Sequence, residues 1–241
     1  MLRSKKKIIF TGGNGRFGQV LQKTNFGHNV FFPSKSELNI VNINSIEKYL
    51  DKKKPDILIH MAALSRPMNV HDLNITKSIN LNIIGTSNIT IACAKRKIKL
   101  IYFSTQYVYP GVKGGYKESD SLLPVNNYGW SKLGGESAVQ MYKNSLILRL
   151  CMTEKPFIHK SAFSDVKTNF IFHDEIIPIL SKILNKKGII NLGGPIKTVY
   201  NFAVKNNPLI KKISAKKTLK GKFALNPSMS LKKLNKILKN D

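Results

Sequence analysis

Tyr128 and Lys132 stand four residues apart in the stretch Asn127-Tyr128-Gly129-Trp130-Ser131-Lys132. On a helix that spacing puts both side chains on one face, a single turn apart. A phenol titrates near pH ~10, too high for free proton exchange at neutral pH. A neighbouring ammonium favours the phenolate and makes the tyrosine a usable general acid or base. Such a pair is common on surface helices. It implies proton transfer to or from a substrate oxygen only if the chain also supplies a cofactor site and a third polar group.

The elements that would position the pair begin with Lys7-Ile8-Ile9-Phe10, a short apolar strand running into Thr11-Gly12-Gly13-Asn14-Gly15-Arg16-Phe17-Gly18 and then a helical pattern with Val20 and Leu21. Strand, glycine loop and helix form the context in which Gly12 makes a tight turn, Gly15 admits a pyrophosphate and Gly18 allows close helix packing. Asn14, Arg16 and Phe17 complete this candidate cofactor loop. A second strand, Val30-Phe31-Phe32, is followed by Pro33-Ser34-Lys35-Ser36, with no acid before Glu37. An NAD site usually has an acid there for the ribose 2′-hydroxyl. Ser34 and Lys35 instead suit a 2′-phosphate, so NADP(H) is favoured over NAD(H). The third strand, Ile57-Leu58-Ile59, ends in His60-Met61-Ala62-Ala63, where Ala62 and Ala63 leave room beside the sheet. A histidine at a strand end reads as structural, so His60 stays outside the site.

Ile75, Ile79 and Ile83 recur at helical spacing in a segment reaching about Lys97, which predicts a crossover helix. Leu100 to Phe103 is the fourth strand, leading into Ser104-Thr105-Gln106-Tyr107-Val108-Tyr109. Thr105, a hydroxyl at a central strand's end, is the candidate donor to a substrate carbonyl. A loop then brings the chain to the Tyr128 helix, followed by the strand Leu146 to Leu148. This alternation predicts an α/β fold, a Rossmann-like doubly wound parallel sheet over residues 1–150. Residues 151–241 are expected to form a small substrate-binding portion, partly interwoven with the sheet. Within it, helices are predicted over Asp174–Leu184, Thr198–Val204 and Pro227–Leu238, and a strand over Ile189–Leu192.

At 42% hydrophobic residues the 241-residue chain can build a sizeable core, yet no apolar run approaches the ~18 residues of a membrane span. The apolar run after the basic start is too short for a signal peptide. Cys93 and Cys151 show no metal or redox spacing, so no metal site is expected and the location reads as cytoplasmic. The net charge of +27 invites a nucleic-acid partner. However, the excess is spread through the chain, and lysine far outnumbers arginine, the better phosphate fork. Genomic composition explains this better, and nucleic acid is disfavoured as a partner.

These motifs, in this order, resemble the extended short-chain dehydrogenase/reductase family of sugar-nucleotide enzymes. Asn82-Ile83-Ile84-Gly85-Thr86 belongs to the same set, and Glu118-Ser119-Asp120, then Pro124, then Tyr128 through Leu133-Gly134-Gly135-Glu136 look closest to the dTDP-4-dehydrorhamnose reductase branch. The resemblance implies that Tyr128 gives a proton to a keto oxygen, that Lys132 tunes Tyr128 and binds the nicotinamide ribose, and that Thr105 orients the same oxygen. It further implies that Asn39 and Ile40 lie against the adenine, and that Asn82 supports the cofactor site. The expected activity is NADP(H)-dependent reduction of a 4-keto sugar nucleotide for surface-polysaccharide precursors; a homodimer is compatible with it.

The chain departs from the pattern at Tyr109 and Pro110, where these reductases commonly carry Phe and Asp. It is also shorter than typical members, with the part after Arg149 compressed; there Lys155, His159 and Lys160 are candidates for the substrate diphosphate. Two alternatives stand beside the reductase. One is an NAD-dependent sugar-nucleotide epimerase or dehydratase, although a dehydratase wants an acid where this chain has Gln106. The other is a non-catalytic dinucleotide-binding regulatory subunit.

Overall fold

The computed structural model describes residues 5–219 and 223–240. In chain order it contains β1 (Lys7–Thr11), α1 (Arg16–Gln22), β2 (Asn29–Phe31), α2 (Ile43–Lys53) and β3 (Ile57–His60). Next come the single turns α3 (Val70–Leu73) and α4 (Ile75–Ser78), a π-helical segment (Ile79–Ile84), α5 (Gly85–Lys95) and β4 (Lys99–Thr105). A 3-10 turn (Gln106–Val108), α6 (Asn127–Gln140) and β5 (Ser145–Leu150) follow. The remainder comprises β6 (Met152–Thr153), β7 (Ser161–Phe163), β8 (Lys167–Thr168), β9 (Ile171–Phe172), α7 (His173–Ile183), β10 (Gly188–Leu192), β11 (Lys197–Thr198), α8 (Val199–Ala203), β12 (Lys211–Ile213), α9 (Ala215–Thr218) and α10 (Lys232–Lys239).

Six strands form the main sheet in the order β10-β5-β4-β3-β1-β2. The strands β2, β1, β3 and β4 run parallel, with Ile9 opposite Phe31 and Leu58, and Leu58 opposite Leu100. The order reverses between β1 and β3, which is where a doubly wound sheet opens a crevice for ligands at its carboxyl ends. The apolar strands are buried on both faces, as a parallel sheet covered by helices requires. Their core joins Ile9, Leu58, Leu100 and Ile147 to Ile46 and Leu50 of α2, Ile89 of α5 and Val139 of α6.

By its internal contacts the chain forms two compact units. Unit 1 holds Met1–Ser104, Ser131–Leu148 and Leu184–Ile189; unit 2 holds Thr105–Trp130, Arg149–Ile183 and Ile190–Asp241. Unit 2 has small two-stranded pairings, β8 with β11, β7 with β12 and β6 with β9. Its core is an aromatic cluster in which Phe157, Phe170 and Phe172 pack around Phe202.

Two elements differ from the sequence expectation. The crossover is not one α-helix: Ile75 and Ile79 face outward, and a π segment then shifts the register so that Ile83 packs near Gly134. The extra residue of the π turn moves the exposed position on to Ile84, five residues after Ile79. The terminal helix starts at Lys232 rather than Pro227. The residues before it are held extended: Met229 bridges to Tyr116, and its N–H donates to Asn169 Oδ1 at 2.5 Å.

Candidate active site

The glycine loop leaves β1 at Gly12, whose φ of +79° lies in the left-handed region that a side chain disfavours. A Cβ there would also sit 2.8 Å from the backbone nitrogen of Ala62. The N–H of Gly15 closes the turn on Gly12 O at 2.9 Å, and α1 starts at once with no side chain capping it. Gly18 packs directly on the backbone of Gly13, so a Cβ has no room there either. Phe17 is buried, whereas Asn14, Gly15 and Arg16 are exposed along the loop. This is a cradle of bare backbone, the surface a pyrophosphate needs.

After β2 the structure adds a group that the sequence reading left aside. The Glu37 carboxylate accepts from the N–H of Ser34 at 2.8 Å and from its hydroxyl at 2.9 Å. These bonds hold the acid below its usual carboxylate range. Lys35 is exposed beside them. Asn39 is fixed by an N–H bond to Ser45 Oγ (3.0 Å), and Ile40 is a buried core residue.

At the end of β3, the N–H groups of Met61 and Ala62 donate to Thr11 Oγ1 at 3.2 and 3.3 Å. Thr11 Oγ1 lies 2.8 Å from His60 Nδ1, His60 Nε2 lies 3.1 Å from Thr86 Oγ1, and Thr86 donates to Asn82 O. Since the Thr86 proton is committed to Asn82, Nε2 of His60 must donate and Nδ1 accept. Full burial pushes this neutral histidine down to about 3, with the charge of Lys132 a smaller cause. Asn82, on the π segment, accepts from Leu64 N–H at 2.7 Å and donates to Leu64 O and Ser131 Oγ at 2.9 and 2.8 Å. Ala62 and Ala63 are half-buried in the turn so pinned.

Ser131 begins the unit 1 part of α6, and Lys132 follows, 3% exposed. Its Nζ lies 4.1 Å from the centroid of the Tyr102 ring. Glu136, one turn on and equally buried, accepts from Ser104 Oγ at 2.5 Å. Burial pushes Lys132 down to about 7, and the charge of Glu136 works in the other direction. Ser131, Glu136 and Tyr102 escaped the sequence reading. Glu136 was signalled by its i+4 spacing from Lys132, but nothing in the sequence pairs Tyr102 with the lysine.

In unit 2, Thr105 is buried at the end of β4, and its hydroxyl accepts from the N–H of Tyr107, capping the 3-10 turn. The Tyr107 ring meets that of Tyr128 edge-on at 6.0 Å between centroids. Tyr128 lies in the first turn of α6, one turn before Lys132 on the same helix. Gln106 is tied to Thr168 Oγ1 at 2.8 Å, and that hydroxyl contacts Cys151 Sγ at 2.9 Å. The departure at Tyr109 has a physical reason. Its hydroxyl accepts from Arg149 Nη1 and donates to Asn191 Oδ1, both at 2.8 Å, which a phenylalanine could not do. Lys155, His159 and Lys160 lie on one exposed stretch, where Lys155 sits over the Phe172 ring and His159 packs on Phe157.

A family model described as the RmlD substrate binding domain matches residues 6–153. The chain belongs to that family. It is 28% identical over 196 residues to a dTDP-4-dehydrorhamnose reductase of Aggregatibacter actinomycetemcomitans, an alignment covering 78% of this chain and 62% of the relative. It is 29% identical over 143 residues to methionine adenosyltransferase 2 subunit beta of Pongo abelii, covering 56% of this chain and 42% of that protein. The chain therefore spans less than two thirds of the length of these curated relatives. Its fold is that of dTDP-4-dehydrorhamnose reductase from Bacillus anthracis, solved in complex with NADP, at a TM-score of 0.85 and 23% identity, covering 96% of this chain and 92% of that one. No helix among the described residues is long and apolar enough to cross a membrane.

Proposed function

We propose that this member of the family reduces a 4-keto sugar nucleotide with NADP(H), in the supply of surface-polysaccharide precursors. The observation that carries the reading is α6, which presents Tyr128 one turn before a buried lysine whose charge burial holds in check. Burying an ammonium is costly to a fold, and a proton-transfer role for the helix supplies a reason to bear that cost.

The bare-backbone cradle at Gly12, Gly15 and Gly18 fits the pyrophosphate of a dinucleotide, with Asn14, Arg16 and Phe17 along it and Ala62 and Ala63 as a wall. When bound, the reduced nicotinamide supplies the hydride for the reduction. Tyr128 hands its phenolic proton to the keto oxygen, Thr105 fixes that oxygen's direction by a hydrogen bond, and Lys132 favours the phenolate left behind. Asn82 holds Leu64 and Ser131, and so keeps the wall turn and the start of the lysine's helical turn in place. Residues 151–241 are assigned the substrate-binding part, with Lys155, His159 and Lys160 as cationic contacts for a diphosphate.

The preference for NADP(H) rests on Lys35 and the hydroxyls beside it. Glu37, bonded to Ser34, acts against a 2′-phosphate there. Glu37→Gln is accordingly expected to raise the ratio of NADPH to NADH affinity in a fluorescence titration, and an unchanged ratio would clear Glu37 of any part in discrimination.

The direct test is a panel of dTDP-, GDP- and UDP-linked 4-keto sugars with NADPH or NADH, followed by loss of absorbance. Oxidation with at least one pair is expected; none with any pair overturns the reductase. A second reading, a dinucleotide-binding subunit of another enzyme, is favoured by the likeness to methionine adenosyltransferase 2 subunit beta. It predicts dinucleotide binding without turnover on that same panel.

A further inference from the structure

Lys132 is a buried cation among mostly uncharged neighbours. From β4 it meets the face of Tyr102, a fully buried ring. From β3, His60 stacks on the same ring at 5.8 Å between centroids and 25° between planes, and is neutral. The π segment and α5 supply Asn82 and no charge at all between Ser78 and Ala94. On α6, Tyr128 precedes it by one turn, and Glu136 follows it by one and is engaged by Ser104. The Tyr102 hydroxyl donates to the main-chain oxygen of Lys132 at 3.1 Å. One tyrosine therefore touches both ends of the same lysine, its ring at the ammonium and its hydroxyl at the backbone.

We propose that Tyr102 is a positioning residue for Lys132: its ring favours the charged form of the buried ammonium, and its hydroxyl fixes that turn of α6 against β4. An ammonium over an aromatic face is attracted by the ring quadrupole, most strongly where water is excluded. Without that face, burial would drive the lysine further towards its neutral form. The catalytic consequence rests on the role assigned to Lys132 above; the electrostatic coupling does not.

The coupling is read from stability. Lys132 titrates near its ordinary value of 10.5 when unfolded and near 7 when folded. Between those values the unfolded chain holds a proton that the folded one lacks, so stability rises with pH across that window. Urea unfolding at stepped pH, comparing each protein with its Lys132→Met counterpart, isolates this rise. With Tyr102 or Tyr102→Phe the rise should begin at the same pH. With Tyr102→Leu it should begin about one pH unit lower. If the leucine variant fails to fold, 4-fluoro- and 3,5-difluorophenylalanine at position 102 weaken the ring's negative face while nearly keeping its shape, and should lower the onset stepwise. An onset that stays fixed along the fluorine series overturns the proposal. Where turnover is found, its loss at alkaline pH should move in the same order. Absence of turnover defeats the reductase reading alone, because the stability comparison still decides the role of Tyr102.

Discussion

At the scale of single residues, chemistry and burial pull against each other around Lys132. An ammonium in an almost dry site is a cost to the fold, and the structure offsets it only in part, with a ring face and a carboxylate one turn away. Tyr128→Phe removes the transferable proton and little else; turnover should fall at least about 100-fold, as expected for loss of a general acid, with dinucleotide affinity nearly intact. Retained turnover in stopped-flow assays would take Tyr128 out of its role. His60 gives a test in acid. It titrates at 6.5 unfolded and is held to about 3 by burial. As pH falls through that window the unfolded state gains a proton the folded state refuses, so stability is lost. His60→Gln should flatten the decline of the urea midpoint below pH 6.5, and an unchanged slope would show that other groups set acid stability.

At the scale of elements, the legible parts of the fold were those with strong local signals. The strands of the sheet announced themselves as apolar runs, and the glycine loop as punctuation between strand and helix. The loop's demand on Gly12 is tested by Gly12→Ala. It must adopt a left-handed φ and push against the Ala62 backbone, which should cost roughly 1–3 kcal/mol and abolish dinucleotide binding. Wild-type binding by that variant in a fluorescence titration would remove the cradle from the cofactor site. What stayed illegible was register and partnership across the chain. Ile75, Ile79 and Ile83 read as the helical spacing of one continuous crossover helix, because periodicity alone cannot show a π turn. Pro227 to Ser230 read as helix, because the competing partners, Asn169 and Tyr116, lie far away in sequence. The Thr11–His60–Thr86 string likewise joins residues that no spacing rule connects.

At the scale of the whole molecule, the charge of +27 is the dominant non-specific force. Like charges spread over one chain repel and weaken the compact state, and salt screens them over about 10 Å at 0.1 M. The melting temperature should therefore climb as sodium chloride is raised from about 0.02 to 0.5 M; a flat or falling curve in scanning fluorimetry would mean that local pairs such as Arg96 with Asp51 outweigh the global repulsion. One local irregularity also governs how the chain can be compared with its relatives. The π segment holds one residue more than an α-helix of the same path would need, so a reader aligning sequences through Ile79–Ile84 should expect a gap there. Deleting Asn80 would give the backbone a regular ladder, but it would turn everything on one side of the cut by about 100° relative to the other. Either Asn82 would swing off Leu64 and Ser131, or the turns at residues 70–78 would swing off their packing. At this point in the chain, the extra residue of the π turn and the hydrogen bonds of Asn82 stand or fall together.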